Sequence, residues 1–120
     1  MKEEKRDVGL YLEDIFESIK QIQEYTDDIE EDELYSNKLI QDAVARRFEI
    51  IGEAVKHVPL YYREKHSEIE WKKIAGMRDV LIHEYFVVDL KKVWNTIQKD
   101  LPNFKEQIKS LPEMSGVKSS

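Results

Sequence analysis

The chain has no cysteine, only four glycines and three prolines, and no excess of positive charge. Without cysteine there is no disulfide framework, no zinc ribbon and no thiol nucleophile. Scarce glycine and proline leave few turn-forming positions, and charged residues make up 37% of the chain, a composition suited to long solvated helices. No apolar run is long enough for a signal peptide or a membrane span, so a cytoplasmic protein with no membrane partner is expected. The formal net charge of -6 argues against a general nucleic-acid coat, which is normally basic. It leaves room for a nuclease whose cations are gathered in one cleft, because field is local and net charge is not.

Alternating apolar strands are also missing, and helical stripes take their place. Val8, Tyr11, Leu12, Ile15, Phe16, Ile19 and Ile22 recur at steps of three and four, predicting a helix over about 8–25 with Asp7 as its cap. Thr26 to Glu33 is a like-charge run and reads as a solvated inter-helix loop. It lacks the glycine and ligand alternation of a calcium-binding loop.

Ser36 or Asn37 can cap a second helix over about 37–57, with a stripe from Leu39 and Ile40 to Val55 and Val58, ending before Pro59. Gly52 interrupts that helix at a cost of about 1 kcal/mol against alanine, so a neighbouring helix is expected to cross there. Arg46 and Arg47 sit beside the stripe. They read either as surface ion pairs, to Glu49, Glu53 or carboxylates of the first helix, or as the lining of a phosphate groove.

Residues 59–67 read as a connection with a short helical turn, in which Tyr61 and Tyr62 pack. Ser67 and Glu70 have capping-box spacing, predicting a third helix over about 68–84 with Trp71, Ile74, Met77 and Leu81 on one side. Asp89 is placed to cap a fourth helix, which Pro102 should kink or restart. The expected fold is all-α, an antiparallel four- to five-helix bundle with a kinked last helix. One domain over 1–112 is followed by a disordered tail over 113–120, where nothing remains to bury.

Standard catalytic patterns are absent too: no glycine-rich phosphate loop, no GxSxG turn and no HExxH pair. His57 and His66 read as surface histidines rather than metal ligands. What stands out is Arg78-Asp79-Val80-Leu81-Ile82-His83-Glu84-Tyr85. Arginine can grip phosphate through two parallel hydrogen bonds, and histidine exchanges protons near neutral pH. By spacing alone, a helix with an exposed histidine and an ion-paired arginine is the commoner outcome. On an ideal helix Arg78 and His83 point about 140° apart, while Arg78 and Tyr85 nearly align. Joint action therefore requires a bend near His83 or a second subunit. Asp79, four residues before His83, can orient the imidazole or serve as a plain surface charge.

The R-x4-H-x-Y pattern of Arg78, His83 and Tyr85 resembles the signature of the HEPN superfamily, most closely its HepT toxins. The likeness extends over Trp71–Gly76 and on to Asp89, Val93-Trp94 and Leu101-Pro102. It also covers Asp42 to Ala54 in the second helix. HepT proteins often have asparagine after the motif arginine, where this chain has Asp79. The resemblance implies a homodimeric helical bundle whose two motifs face one cleft. It implies a metal-independent endoribonuclease using Arg78 and His83 with no cofactor, acting on RNA and not DNA. It further implies a partner, an MntA-type nucleotidyltransferase antitoxin, which can transfer AMP to Tyr85. Asp79, Arg46 and Arg47 are candidate orienting or substrate-contact residues. The alternative is a non-catalytic helical module of the same type that binds a nucleotidyltransferase or nucleotide.

Overall fold

Asp7 starts the fold as expected: its carboxylate accepts from the Gly9 amide and opens α1, Val8–Thr26. The α1 stripe is buried, with Leu12, Ile15, Ile19 and Ile22 fully excluded from solvent. Each such side chain contributes about 1.5–3 kcal/mol relative to an exposed position. The computed structural model describes residues 7–83 and 89–115, the side chains of 81–83 excepted. Among the described residues the secondary structure is entirely helical.

α3, Lys38–His57, is the second long helix and is capped by Asn37, whose side chain accepts from the Ile40 amide. It lies antiparallel to α1. Tyr11 near the start of α1 stacks on His57 at the end of α3, and Ser18 meets Arg47 halfway along. Phe48, Val44 and Ile51 fill the seam between them. Leu39, expected on the buried stripe, is 77% exposed because the first turn of α3 projects beyond that seam.

Part of the acidic run is helical, a departure from the expected loop. α2, Glu31–Ser36, begins with Glu31, Asp32 and Glu33. Carboxylates in a first turn complement the positive end of the helix dipole, and Leu34 supplies the buried anchor. Glu31 then receives the Tyr35 hydroxyl at 2.6 Å and Lys91 at 3.0 Å, tying α2 to α7. Donation from Tyr35, then Lys91, holds the Glu31 carboxyl below its ordinary range. The same bond to Glu31 pushes the Tyr35 phenol up to about 12.

The connection after α3 holds α4, Leu60–Lys65. Tyr62 packs inward as expected, but Tyr61 is 68% exposed, since adjacent residues on one helical turn cannot share a face. His66 is half-buried against the Tyr62 ring and is not a plain surface residue.

The third helix starts later than the Ser67 signal suggested and is divided. α5 is Trp71–Ala75 and α6 is Met77–His83. Burial of Ile69 and a bond from the Trp71 indole to the His66 carbonyl at 3.0 Å hold residues 66–70 in a turn. Gly76 forms the break, where a side chain would press on the Lys72 carbonyl at 3.1 Å.

Asp89 caps α7, Leu90–Asn95, by accepting from the Lys92 amide. The expected irregularity before Pro102 is a π-helical turn over Thr96–Asp100, in which the Leu101 amide reaches back to Thr96. Pro102 has no amide to continue the α pattern, so the wider turn absorbs the mismatch. α8, Leu101–Lys109, follows and runs antiparallel to α1, with Lys105 against Gln23 and Phe16. α5 and α6 run antiparallel to the same last helix: Trp71 meets Phe104, Lys73 meets Asp100, and Met77 meets Thr96.

The chain does not lose its core at Pro112. Pro112–Met114 form a single 3₁₀ turn, Met114 is 3% exposed, and Glu113 accepts from the Tyr62 hydroxyl. The expected unburied tail is therefore corrected over these residues, because Met114 still supplies apolar surface to bury and Glu113 lies against Gly9 of α1 and Tyr62 of α4. Burial, followed by the bond to Glu113, raises the pKa of Tyr62. The raised value means this contribution is intact below the ordinary tyrosine pKa of about 10 and is lost at higher pH, where the unfolded phenol ionises first. Tyr62→Phe should cost about 1–2 kcal/mol near neutral pH. The gap from wild type should narrow above pH 10, as read from thermal melts of both proteins by circular dichroism.

Candidate functional site

The site begins with a missing side chain. Gly52 is buried in the middle of α3, and a methyl group there would lie 3.3 Å from the Arg78 Cδ and 3.4 Å from the Ala75 carbonyl. The expected crossing is present: the break between α5 and α6 rests on this glycine. Close approach of the two backbones lays the stem of Arg78 across α3 and sends its guanidinium toward the surface.

Arg78 is 38% exposed, yet its Nε is buried and donates to no acceptor among the described residues. A buried unsatisfied donor costs about 1–3 kcal/mol, so the Nε position is kept by the packing of the Arg78 stem. Its outer nitrogen lies 3.6 Å from the Asp79 carboxylate. That is ion-pair distance beyond good hydrogen-bond geometry. Asp79 stands beside Arg78; its expected role in orienting His83 falls on a side chain outside the described residues. The His83 side chain and all of Tyr85 lie outside the described residues; the backbone of His83 is the last described residue of α6.

Two clefts meet at Arg78, which lines both together with Glu53. The first, of about 380 Å³, lies between α1 and α3 and is acidic: Asp14, Glu49 and Glu53 face Arg46 and Arg78. Arg46 is bound to Glu49 at 3.2 Å, so this candidate shares a cleft with Arg78 but with its charge already matched. Arg47 is turned the other way, toward Ser18 of α1 at 3.5 Å, and lines neither cleft. The second cleft, of about 270 Å³, is basic: Lys56, Arg63, Lys72 and Arg78 surround Glu53 and Asp79 over a floor that includes Gly52 and Gly76. Lys56, Arg63 and Lys72 were not singled out from sequence. They come from three different helices, and only the crossing at Gly52 gathers them.

Two roomier clefts, of about 430 Å³ beside Trp94 and about 520 Å³ beside Trp71, do not include Arg78. Among the described residues no group of three or more His, Asp or Glu side chains is arranged to hold a metal ion, and no helix is long and apolar enough to cross a membrane. His57 bonds through Nδ1 to the Glu53 carbonyl at 3.0 Å, a structural role on its own helix.

Comparison with known proteins gives the same direction as the arginine motif. The chain is 44% identical over 107 residues to a Thermococcus cleftensis protein named "probable ribonuclease HepT", covering 89% of this chain and 97% of that one. It is 41% identical over 104 residues to a "putative RNase" of Methanocaldococcus jannaschii, covering 87% of this chain and 95% of that one. A second protein of that archaeon, named "gamma-glutamylcyclotransferase and putative RNase", is 50% identical over 109 residues. The match covers 91% of this chain but only about half (49%) of that longer relative. No solved structure matches the chain. The family described as "Ribonuclease HepT-like" matches residues 15–111, and the chain belongs to this HepT-like ribonuclease family of the HEPN type.

Proposed function

We propose that this protein is the toxin of a toxin–antitoxin pair, an endoribonuclease that cuts RNA without a metal ion through Arg78 and His83. The observation that carries the reading is the state of Arg78. Its stem is packed against Gly52, its Nε has no acceptor among the described residues, and the residue lines a basic cleft. A guanidinium with unspent donors, held in place beforehand, suits an anion that gains charge in the transition state.

RNA brings its own nucleophile. The 2′-hydroxyl loses its proton to a base and attacks phosphorus. The P–O5′ bond breaks, and an acid returns a proton to the departing 5′-oxygen. The products are a 2′,3′-cyclic phosphate and a free 5′-hydroxyl. His83 takes the proton-transfer role, and Arg78 holds the non-bridging oxygens. In a homodimer the second proton carrier is the partner subunit's His83, which also answers the angular divergence of Arg78 and His83 along one helix. A nucleotidyltransferase antitoxin silences the site by moving AMP from ATP to Tyr85, with release of pyrophosphate. The adduct adds bulk and negative charge next to Arg78 and repels the RNA backbone.

Arg78→Ala and His83→Ala should each abolish RNA cleavage in EDTA and leave the helical circular-dichroism spectrum unchanged. Arg78→Lys should restore little, because a point charge does not reproduce a two-pronged grip. Cleavage by either alanine variant at the wild-type rate refutes the assignment. Gly52→Ala separates fold from site. Its stability should stay within about 1 kcal/mol of wild type, since helix propensity offsets crowding. Its cleavage rate should fall, because the new methyl displaces Arg78. Expression alone should arrest growth, whereas co-expression with the antitoxin should restore it and add the mass of AMP at Tyr85.

A further inference from the structure

An acidic chain that binds RNA needs a local cationic path, and Arg78 by itself is one contact. We infer that the RNA backbone runs from Arg78 over Arg63 and Lys72, and that these two residues are phosphate-binding groups on one side of the scissile bond. The inference rests on the ribonuclease reading for the identity of the ligand and on the cleft geometry for its path.

The two clefts at Arg78 offer opposite electrostatics. On the α1 side, three carboxylates face two arginines, and Arg46 is spent on Glu49. A polyanion entering there meets net repulsion. On the α4–α5 side, four cations face two carboxylates. Lys56 is 3.7 Å from Glu53 and is in part neutralised. Arg63 and Lys72 pair with no carboxylate among the described residues. Lys73, the next residue along, pairs with both Glu70 and Asp100. Within the cleft, Arg63 and Lys72 are thus the two cations whose charge is not matched by a carboxylate among the described residues.

Arg63 is also held in advance. Its Nε donates to the Val58 carbonyl at 3.0 Å, which fixes the stem and leaves the two outer nitrogens for a ligand. Arg63 and Lys72 also line a further cleft of about 520 Å³, which adjoins the basic one at these two residues and carries Glu64, Glu70 and Lys73 as well. Leu60, 60% exposed, borders that further cleft and offers an apolar face for a base. Unstacked single-stranded RNA, with phosphates on cations and bases on apolar surface, matches this order of groups.

The test uses the full chain and a 2′-O-methyl single-stranded oligonucleotide, which binds but cannot be cut. Affinity is read by fluorescence anisotropy over a range of salt, beside single-turnover cleavage of the unmodified RNA. The Arg63→Gln/Lys72→Gln variant should bind about tenfold or more weakly, and its log–log salt slope should be shallower by about 1.4, as expected for two lost phosphate contacts to a single strand. Its single-turnover cleavage at subsaturating enzyme should fall by about the same factor as its affinity. Lys72→Gln alone, at an exposed unpaired site, should show about half the slope change and guards against misfolding of the double variant. Lys38→Gln, which removes an equal charge at the far end of α3, should change neither.

Affinity and salt slope equal to wild type in both groove variants overturn the path, as does a wild-type chain that binds no oligonucleotide. Salt-sensitive binding that depends on Arg63 and Lys72, in a wild-type chain that cuts no RNA, upholds the groove while removing the ribonuclease reading.

Discussion

The approach of α5 and α6 to α3 at Gly52 is the constraint on which the arrangement depends. Two helices ordinarily keep 8–10 Å between axes, with side chains filling the gap. Here one residue contributes no side chain, and the stem of Arg78 occupies the space a methyl group would need. A glycine inside α3 weakens that helix by about 1 kcal/mol relative to alanine. The α1–α3 seam, built from Leu12, Ile15, Ile19, Val44, Phe48 and Ile51, is large enough to absorb this loss. The core thus tolerates a local defect, and the defect positions an arginine.

From that crossing the charge pattern follows. α3 presents Glu49 to the cleft on the α1 side, Lys56 to the cleft on the α4 side and Glu53 to both, so the arginine laid across it stands between an acidic cleft and a basic one. The overall charge of -6 says little about either. Screening at physiological salt limits exposed charges to about 8 Å, so an incoming phosphate responds to Arg63, Lys72 and Arg78 rather than to the acidic start of α2. Acidic residues elsewhere would discourage a polyanion from binding away from the cleft.

The long helices were legible because their stripes are periodic and their caps local. Asp7, Asn37 and Asp89 all act as the sequence suggests. Short segments were not. α2 appears within a run that charge counting assigned to solvent, because Leu34 alone gives it a hold and the dipole rewards its acidic first turn. Ser67 and Glu70 have capping-box spacing, yet burial of Ile69 and the Trp71–His66 bond outweigh a cap worth about 1 kcal/mol. Met114 looked stranded beyond Pro112, but its seat is formed by residues some fifty to a hundred positions earlier, a proximity no local pattern announces. At the candidate site, the helix crossing at Gly52 was readable. Arg63 and Lys72 were not, since nothing near them in sequence marks which of many cations stay unpaired.

Asp79 is the residue that most tests the phosphate reading, because it sets a negative charge beside the arginine. Its effect can be bounded. At 3.6 Å without good hydrogen-bond geometry, and with its side chain 64% exposed, the pair with Arg78 belongs to the class worth about 0–1 kcal/mol. A phosphate engaging the same guanidinium through two charge-assisted bonds gains about 1.5–3 kcal/mol for each. On the proposed reading the phosphate prevails over this pair, and because Asp79 is exposed its loss from Arg78 leaves no buried charge behind. What Asp79 does change is the balance of the basic cleft, cancelling one of its four cations and leaving Arg63 and Lys72 as the larger share of the remaining attraction. On the proposed reading, a chain with an acid at this position would depend on those two residues more than one with a neutral side chain there.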